Sequence, residues 1–330
     1  MAERSYDRRR GFALITVLWV LAGASIVLLH ASLTGRDAFN AARNRALATR
    51  AGWEAEGCLE IVRASIDSVL GDSTTIATTP GERWASLDKA LSSMLDSTSQ
   101  SSVAPSAPSV APSPTGCRIT MEAVGSRLDV NTATDTSLDL ALEEVLGASK
   151  GAEVTDALVD WRDADNIARP SGAERAWYDA RHRVSPRNGP LADMLEVALL
   201  RGLEDSTSLA AARTILGVEQ GVISLNNASA PVLKTIPGIG DVAADAIVLA
   251  NQQGHPVTDL IQFSGTLPIA AATAFRARFP DIVRLSVLEP VAWTVHARSA
   301  TTQPGSVGEI EQRITRIGRR AAVVRRRSWR

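Results

Sequence analysis

Hydrophobic and polar positions follow three different rhythms along this chain. Between Phe12 and Leu29 there is no charged residue, and Arg8, Arg9 and Arg10 stand directly in front. At about 1.5 Å rise per residue, a run of roughly 20 apolar residues spans a bilayer core. The run Gly11–Leu33 meets that length, and the arginines before it predict a cytoplasmic N-terminal side with the remainder across the membrane. From Leu33 to Leu70 there is no proline, and Phe39, Ala42, Ala46, Ala51, Trp53, Leu59, Val62, Ile66 and Val69 recur at roughly helical spacing. Charged residues from Arg36 to Glu60 interleave with them. This pattern predicts one long helix over residues 12–75, apolar all round across 12–33 and amphipathic beyond.

The middle of the chain reads as helical. Cys117–Val124 alternates like a strand. From Leu128 to about Leu216, Leu138, Leu142 and Val145 mark one helix, and Val154, Leu158 and Trp161 mark a second. A polar loop, Arg162–Pro190, precedes a third helix expected at about Leu191–Arg201. A repeat follows: Ile223-Ser-Leu-Asn226-Asn-Ala-Ser229 restates Leu128-Asp-Val-Asn131-Thr-Ala-Thr134. In each copy the Asn and its Ala-Ser/Thr neighbours are expected to cap the next helix. The second copy continues through Pro237-Gly238-Ile239-Gly240 into Val242–Ala250, a helix-hairpin-helix pattern whose glycines permit the tight turn. The first copy holds a worn version around Lys150-Gly151.

From Ile282 the period becomes two. Val283, Leu285 and Val287, then Val291, Trp293, Val295 and Ala297, predict strands, followed by Glu309–Ile317 and Ala321–Arg327 in an antiparallel sheet. The stretch Ser92–Gly116 is rich in Ser, Ala and Pro and is expected to form a flexible or partly polyproline-like loop.

Composition changes this picture in three places. With 330 residues and 45% hydrophobic content the chain can build two modest cores besides the apolar helix. A net charge of −1 excludes a global field that would draw nucleic acid, although Arg313 to Arg330 holds eight arginines and no acid. That stretch reads as a solvated strand face or a surface suited to anionic lipid. The two cysteines, Cys58 and Cys117, stand in a part expected outside the cytoplasm, where one disulfide or two buried thiols are both open.

No catalytic constellation emerges: the histidines are scattered, and neither a G-x-S-x-G elbow nor a phosphate loop is present. The hairpin segment Ser224–Ile261 carries one lysine, Lys234, against Asp241, Asp245 and Asp259. Cation–phosphate pairing supplies most non-specific affinity, so nucleic acid is an unsuitable partner and packing or protein contact the better reading. Asp160, Asp163 and Asp165, with Glu174 further on, form the most acidic loop. Such oxygen donors suit a hard cation such as calcium, but the spacing is not that of an EF-hand and equally suits polar turn chemistry.

The wording of several segments is similar to one family. The basic leader ending Arg10-Gly11, then Phe12 and an unbroken apolar helix, resembles a type IV prepilin-like signal. Ala13, Leu14, Val17, Leu18, Trp19, Val20, Leu21 and Ala22 resemble the K-type minor pseudopilins of the type II secretion system. So does the block Ala157–Asn166 (ALVDWRDADN), followed by Gly172-Ala-Glu174, Trp177-Tyr178 and Asn188-Gly-Pro-Leu191. Thr16 stands at the fifth mature position, where most pilins carry Glu and K-type members do not.

The resemblance implies an α+β fold: a pilin-like long N-terminal transmembrane helix on a small antiparallel sheet, with a large inserted α-helical, degenerate helix-hairpin-helix domain. It divides the chain into a leader (1–11), the long helix (12–75), a variable Ser/Pro segment (76–116), a first head strand (117–127), the helical insert (128–222), and the hairpin segment with the C-terminal strands (223–330). It implies cleavage between Gly11 and Phe12 by the prepilin peptidase, N-methylation of Phe12, an inner-membrane anchor with a periplasmic head, and membrane lipid around the helix. It also implies a place at the pseudopilus tip with I- and J-type minor pseudopilins, assembled by the inner-membrane platform. No cofactor is required; calcium is admitted at Asp160, Asp163, Asp165 and Glu174. The competing class is a membrane-anchored DNA receptor of competence type, which also joins an anchor, a Pro/Ser/Ala linker and a helix-hairpin-helix, but leaves the DWRDAD block and terminal strands unexplained.

Overall fold

The computed structural model describes residues 6–71, 109–112, 117–299, 308–317 and 320–329. Helix α1, Tyr6–Gly71, is continuous from the apolar run into the amphipathic one. It contains a window long and apolar enough to cross a membrane, none of it buried within the chain. Its second half supplies Ala55, Cys58, Leu59, Val62 and Ile66 to a core. This spacing returns the same stripe to one side of the helix. Phe39 and Trp53, which share the helical periodicity, remain exposed.

The stripe lies on a five-stranded antiparallel sheet. In chain order its strands are β1 (Ser109–Pro112), β2 (Cys117–Ala123), β7 (Ala292–Ser299), β8 (Glu309–Ile317) and β9 (Arg320–Trp329), and they neighbour one another in that same order. Ile119, Ala123, Trp293, Val295, Ala297, Ile310 and Ile314 face α1, every second residue as a pleated strand requires. Where the chain leads into β8, a Cβ on Gly308 would stand 2.4 Å from the backbone of Ala51, so strand and helix meet there without room for a side chain. The Ser/Pro stretch is a strand over Ser109–Pro112, correcting the loop expected there; the rest of 76–116 and the turn at Gly305 lie outside the described residues.

Between β2 and β7 the chain leaves the sheet and builds a helical body with its own core, which runs from Leu128 through Ile282 without a break. It contains two copies of one plan. In the first, β3 (Leu128–Asp129) precedes α2 (Asp135–Leu146) and α3 (Ala148–Arg162). A long loop carrying α4 (Arg175–Asp179) then leads to α5 (Met194–Val197), α6 (Ser206–Ile215) and β4 (Leu216–Gly217). In the second, β5 (Ile223–Ser224) precedes α7 (Ala230–Leu233), α8 (Asp241–Gln252), α9 (Leu260–Thr266), α10 (Ile269–Ala277), α11 (Phe279–Leu285) and β6 (Ser286–Val287). Each copy closes by pairing its first and last strands in parallel, Leu128 with Leu216 and Ile223 with Ser286.

The repeated asparagines do not cap helices. Asn131 donates from Nδ2 to the Leu191 carbonyl at 2.9 Å and accepts from the Leu191 amide at 2.8 Å. Asn226 does the same with Val257, at 2.9 Å each way, and also donates to the Leu288 carbonyl at 2.8 Å. A side-chain amide has the donor–acceptor pair of a peptide, so each asparagine serves as one extra strand residue. The cap of α2 is Thr134, whose hydroxyl accepts from the Ser137 amide. Ser229 holds the matching position before α7 without a side-chain cap bond. The repeat therefore runs further than the stretch around each Asn: Pro190-Leu191-Ala192-Asp193 matches Pro256-Val257-Thr258-Asp259, and both aspartates cap the helix that follows.

Two expected elements change. The third helix shortens to α5 because Asp193 caps it and the chain turns again after Val197. Ile282–Leu285, expected as a strand, is the end of α11, where Ile282 is buried and Val283 exposed. Val283, Leu285 and Val287 alternate over too few residues to separate the two periods.

Candidate cation site and the hairpin

The acidic residues gather where α3 ends. Asp160 is fully buried in its last turn, and Asp163 stands just beyond. Glu174, 5% exposed, is brought back to them as the N-terminal flank of α4. Each of the three offers an oxygen, and these oxygens lie within 4.8 Å of one another. Asp165 does not join them: it is exposed, and its Oδ1 accepts the Ile167 amide at 2.8 Å in a local turn.

The loop backbone shapes the pocket. The amide of Arg169 donates to both Asp160 oxygens, at 3.3 and 3.2 Å. The Ser171 amide donates to Asp156 Oδ2 at 2.9 Å. A Cβ on Gly172 would lie 2.0 Å from Asp160 Oδ2, so glycine alone leaves room for that carboxylate. Beneath the loop Trp161 and Tyr178 pack edge to face at 5.3 Å between ring centroids, and the Tyr178 hydroxyl accepts from the Arg201 amide.

One cation stands beside the cluster: Arg169, whose Nε lies 3.9 Å from Asp160 Oδ1. Burial first, then Asp160 and Asp163, push the Glu174 carboxyl up to about 7. Burial also raises Asp160, opposed by the Arg169 amide. Both Glu174 oxygens and Asp163 Oδ1 are buried without a hydrogen-bond partner. Buried oxygens of this kind are costly unless a cation or proton satisfies them. An all-oxygen set of carboxylates fits a hard cation such as calcium better than a thiolate- or imidazole-seeking metal.

The helix-hairpin-helix pattern lies in the second copy. Its hairpin turn is real: Gly238 has φ +94°, and a Cβ there would meet Arg278 Cβ at 2.6 Å. Lys234, the lysine of the hairpin, pairs with Glu144 at 3.0 Å and Asp241 at 2.7 Å. These contacts turn the hairpin toward α2 of the first copy and the end of α10.

The other sequence-derived residues are dispersed. Gly11 and Phe12 lie within α1, and Thr16 is exposed in its apolar part. Cys58, 1% exposed, is disulfide-bonded on the face of α1 that meets the sheet. Cys117, the other cysteine in the sequence, begins β2.

Residues 129–216 match the family model described as Type II secretion system (T2SS), protein K. The match spans 88 of the 330 residues. The matched segment is the first of the two copies, with the acidic loop inside it. No curated protein matches the chain by sequence. Among solved structures, the chain is similar to one in the GspK-GspI-GspJ complex of the Type 2 Secretion System from enterotoxigenic Escherichia coli. The TM-score is 0.59 at 15% identity, over 88% of this chain and 99% of that one. At that identity the likeness speaks for the fold. The matched domain and the shared fold are both those that the K-type resemblance implies.

Proposed function

We propose that this chain is a minor pseudopilin at the tip of the type II secretion pseudopilus, where it starts assembly with I- and J-type partners. The observation that carries the reading is architectural. A type II secretion K domain interrupts a pilin-like head between β2 and β7, behind a helix that can cross a membrane. A head enlarged this way is suited to ending a fibre. The helix would anchor in the inner membrane among lipid, with the head in the periplasm, until the assembly platform draws it out.

Processing follows from the leader. The prepilin peptidase would cut between Gly11 and Phe12, and Phe12 would be N-methylated. Thr16 supports the tip position: it carries no charge with which to neutralise the amino terminus of a subunit ahead. An ammonium buried in lipid without a counter-charge costs several kcal/mol even after relaxation, so the favourable place is one with nothing ahead.

Two further features serve the extracytoplasmic head. Calcium at Asp160, Asp163 and Glu174 would neutralise the buried carboxylates and fix the inserted loop. A bridge between Cys58 and Cys117 would fasten α1 to β2 across the Ser/Pro segment. A non-reducing peptide map of material from the cell envelope tests the bridge, and two free thiols would refute it.

The deciding experiment is copurification from detergent with candidate I- and J-type pseudopilins encoded beside this chain. A stable ternary complex supports the reading. Failure to bind either, combined with salt-sensitive binding of double-stranded DNA, would favour the competence-type receptor instead.

A further inference from the structure

Four arginines near the end of the chain, Arg313, Arg325, Arg326 and Arg327, are engaged in ion pairs. On the sheet face turned away from α1, Arg327 of β9 pairs with Asp193 at 2.5 Å and donates to the Ala192 carbonyl at 2.7 Å. Arg313 of β8 donates to the Glu219 carbonyl at 2.6 Å, and Arg325 pairs with the Glu219 carboxylate. Arg326, between them, points to the other face and pairs with Glu56 of α1 at 2.8 Å. The period-two alternation therefore sends one arginine to the anchor helix and its two neighbours to the helical body.

The placement of these pairs matters more than their number. Among the described residues, the chain itself joins the helical body to the head where it leaves β2 and returns to β7, and the Gly125 amide there donates to Gln220 Oε1 at 2.9 Å. The two connections run side by side, with the Val124 amide donating to the Ala292 carbonyl at 2.9 Å. A body held along one edge can pivot about it. The arginine contacts sit on β8 and β9, and β9 lies two strands beyond β7, roughly 10 Å from the neck at ordinary strand spacing. They touch both copies' surroundings: Asp193 caps α5 of the first, and Glu219 lies in the link between the copies, held at φ +58°. None of the three arginines or two acids is fully buried, with side-chain exposures between 23% and 48%. Pairs so placed are individually weak and are screened by salt.

We propose that β8 and β9 form an ionic latch that sets the angle of the helical body on the head and can be released without unfolding either. The two cores are separate, so release leaves each intact. The device would let a large capping body swing about its neck when a partner or substrate competes for the arginines.

Spin labels at Asp245→Cys in the helical body and Arg298→Cys in the sheet, in the full chain in detergent, measure the angle as a distance distribution. A single narrow distribution is expected in about 0.1 M salt, at least doubling in width in about 1 M, where screening shortens to a few ångströms. Replacing Arg313, Arg325 and Arg327 together by Gln should produce the broad distribution at low salt, whereas Arg320→Gln in the same edge strand should not. A distribution that stays narrow in the triple variant, or one already broad in the parent at low salt, would overturn the latch. If the triple variant loses its near-ultraviolet circular dichroism, the salt response of the parent decides in the same two directions.

Discussion

The two copies in the helical body use one plan for different ends. Both have a two-residue strand at each end, an asparagine clip, a helical hairpin and a P-x-x-D helix start. They differ after the hairpin. The second copy passes from α8 to Pro256 through Gln253–His255, whereas the first spends residues 163–189 on the same crossing. Asp160 ends the helix before that added loop, and Asp163 and Glu174 lie within it. The duplicated frame is shared by both copies, and the insertion in one of them carries the acidic cluster. The clips explain how an insertion is tolerated: Asn131 fixes Leu191 just after the loop, so the frame resumes at a defined point whatever the loop contains.

That comparison can be broken at the frame. Asn226→Ala strips partners from the amide of Val257 and from two carbonyls, in a residue 2% exposed. With each buried unsatisfied group costing about 1–3 kcal/mol, a loss of about 3–4 kcal/mol is expected. Asn131→Ala removes two bonds from a half-buried site and should cost about 2 kcal/mol. Denaturant unfolding of the detergent-solubilised chain measures both; equal and negligible losses would dissolve the shared frame.

The insertion can be tested through pH. Glu174 sits at about 7 in the folded chain, above its ordinary 4.5. A raised carboxyl keeps its proton in the folded state after the unfolded chain has lost it. Stability without calcium should therefore fall as pH rises from about 4.5 to about 7 and then level off. The fall is about 3.5 kcal/mol at most, at roughly 1.4 kcal/mol per unit. Calcium should suppress the fall, and its own affinity should weaken below about pH 7 as the proton competes. Glu174→Gln should flatten the pH dependence and abolish the calcium response, both read by thermal unfolding. No change in the second copy's hydrogen exchange is expected.

Much of this architecture is legible in the sequence because it rests on long patterns. The apolar run, the stripe from Ala55 to Ile66 and the alternation in β7 and β8 each extend over several repeats of their period. What is not legible rests on distant partners. Two-residue parallel strands carry no period, and nothing around Asn131 announces that its partner is Leu191. The P-x-x-D match was available to a longer comparison of the copies. At the candidate site, the residues from Asp160 to Asp165 look alike in the sequence; burial at the end of α3 separates Asp160 and Asp163 from the exposed Asp165. Composition marked the terminal arginines as solvated because their acids, Asp193, Glu219 and Glu56, come from three remote segments.

The smallest effect concerns the hairpin. Lys234→Ala removes two pairs whose acid partners are largely exposed, and should cost less than about 1 kcal/mol. Binding to double-stranded DNA, measured by fluorescence anisotropy at low salt, should be weak before and unchanged after. A marked loss would make the second copy a nucleic-acid site.

The tip position is tested most directly by cysteine crosslinking along the exposed N-terminal half of α1 in assembling cells. The account predicts adducts with one set of minor-pseudopilin neighbours, on the lower side of the helix only, with Thr16→Glu altering the stoichiometry but not membrane insertion. Equivalent adducts both above and below the subunit would place it inside the fibre and contradict the account.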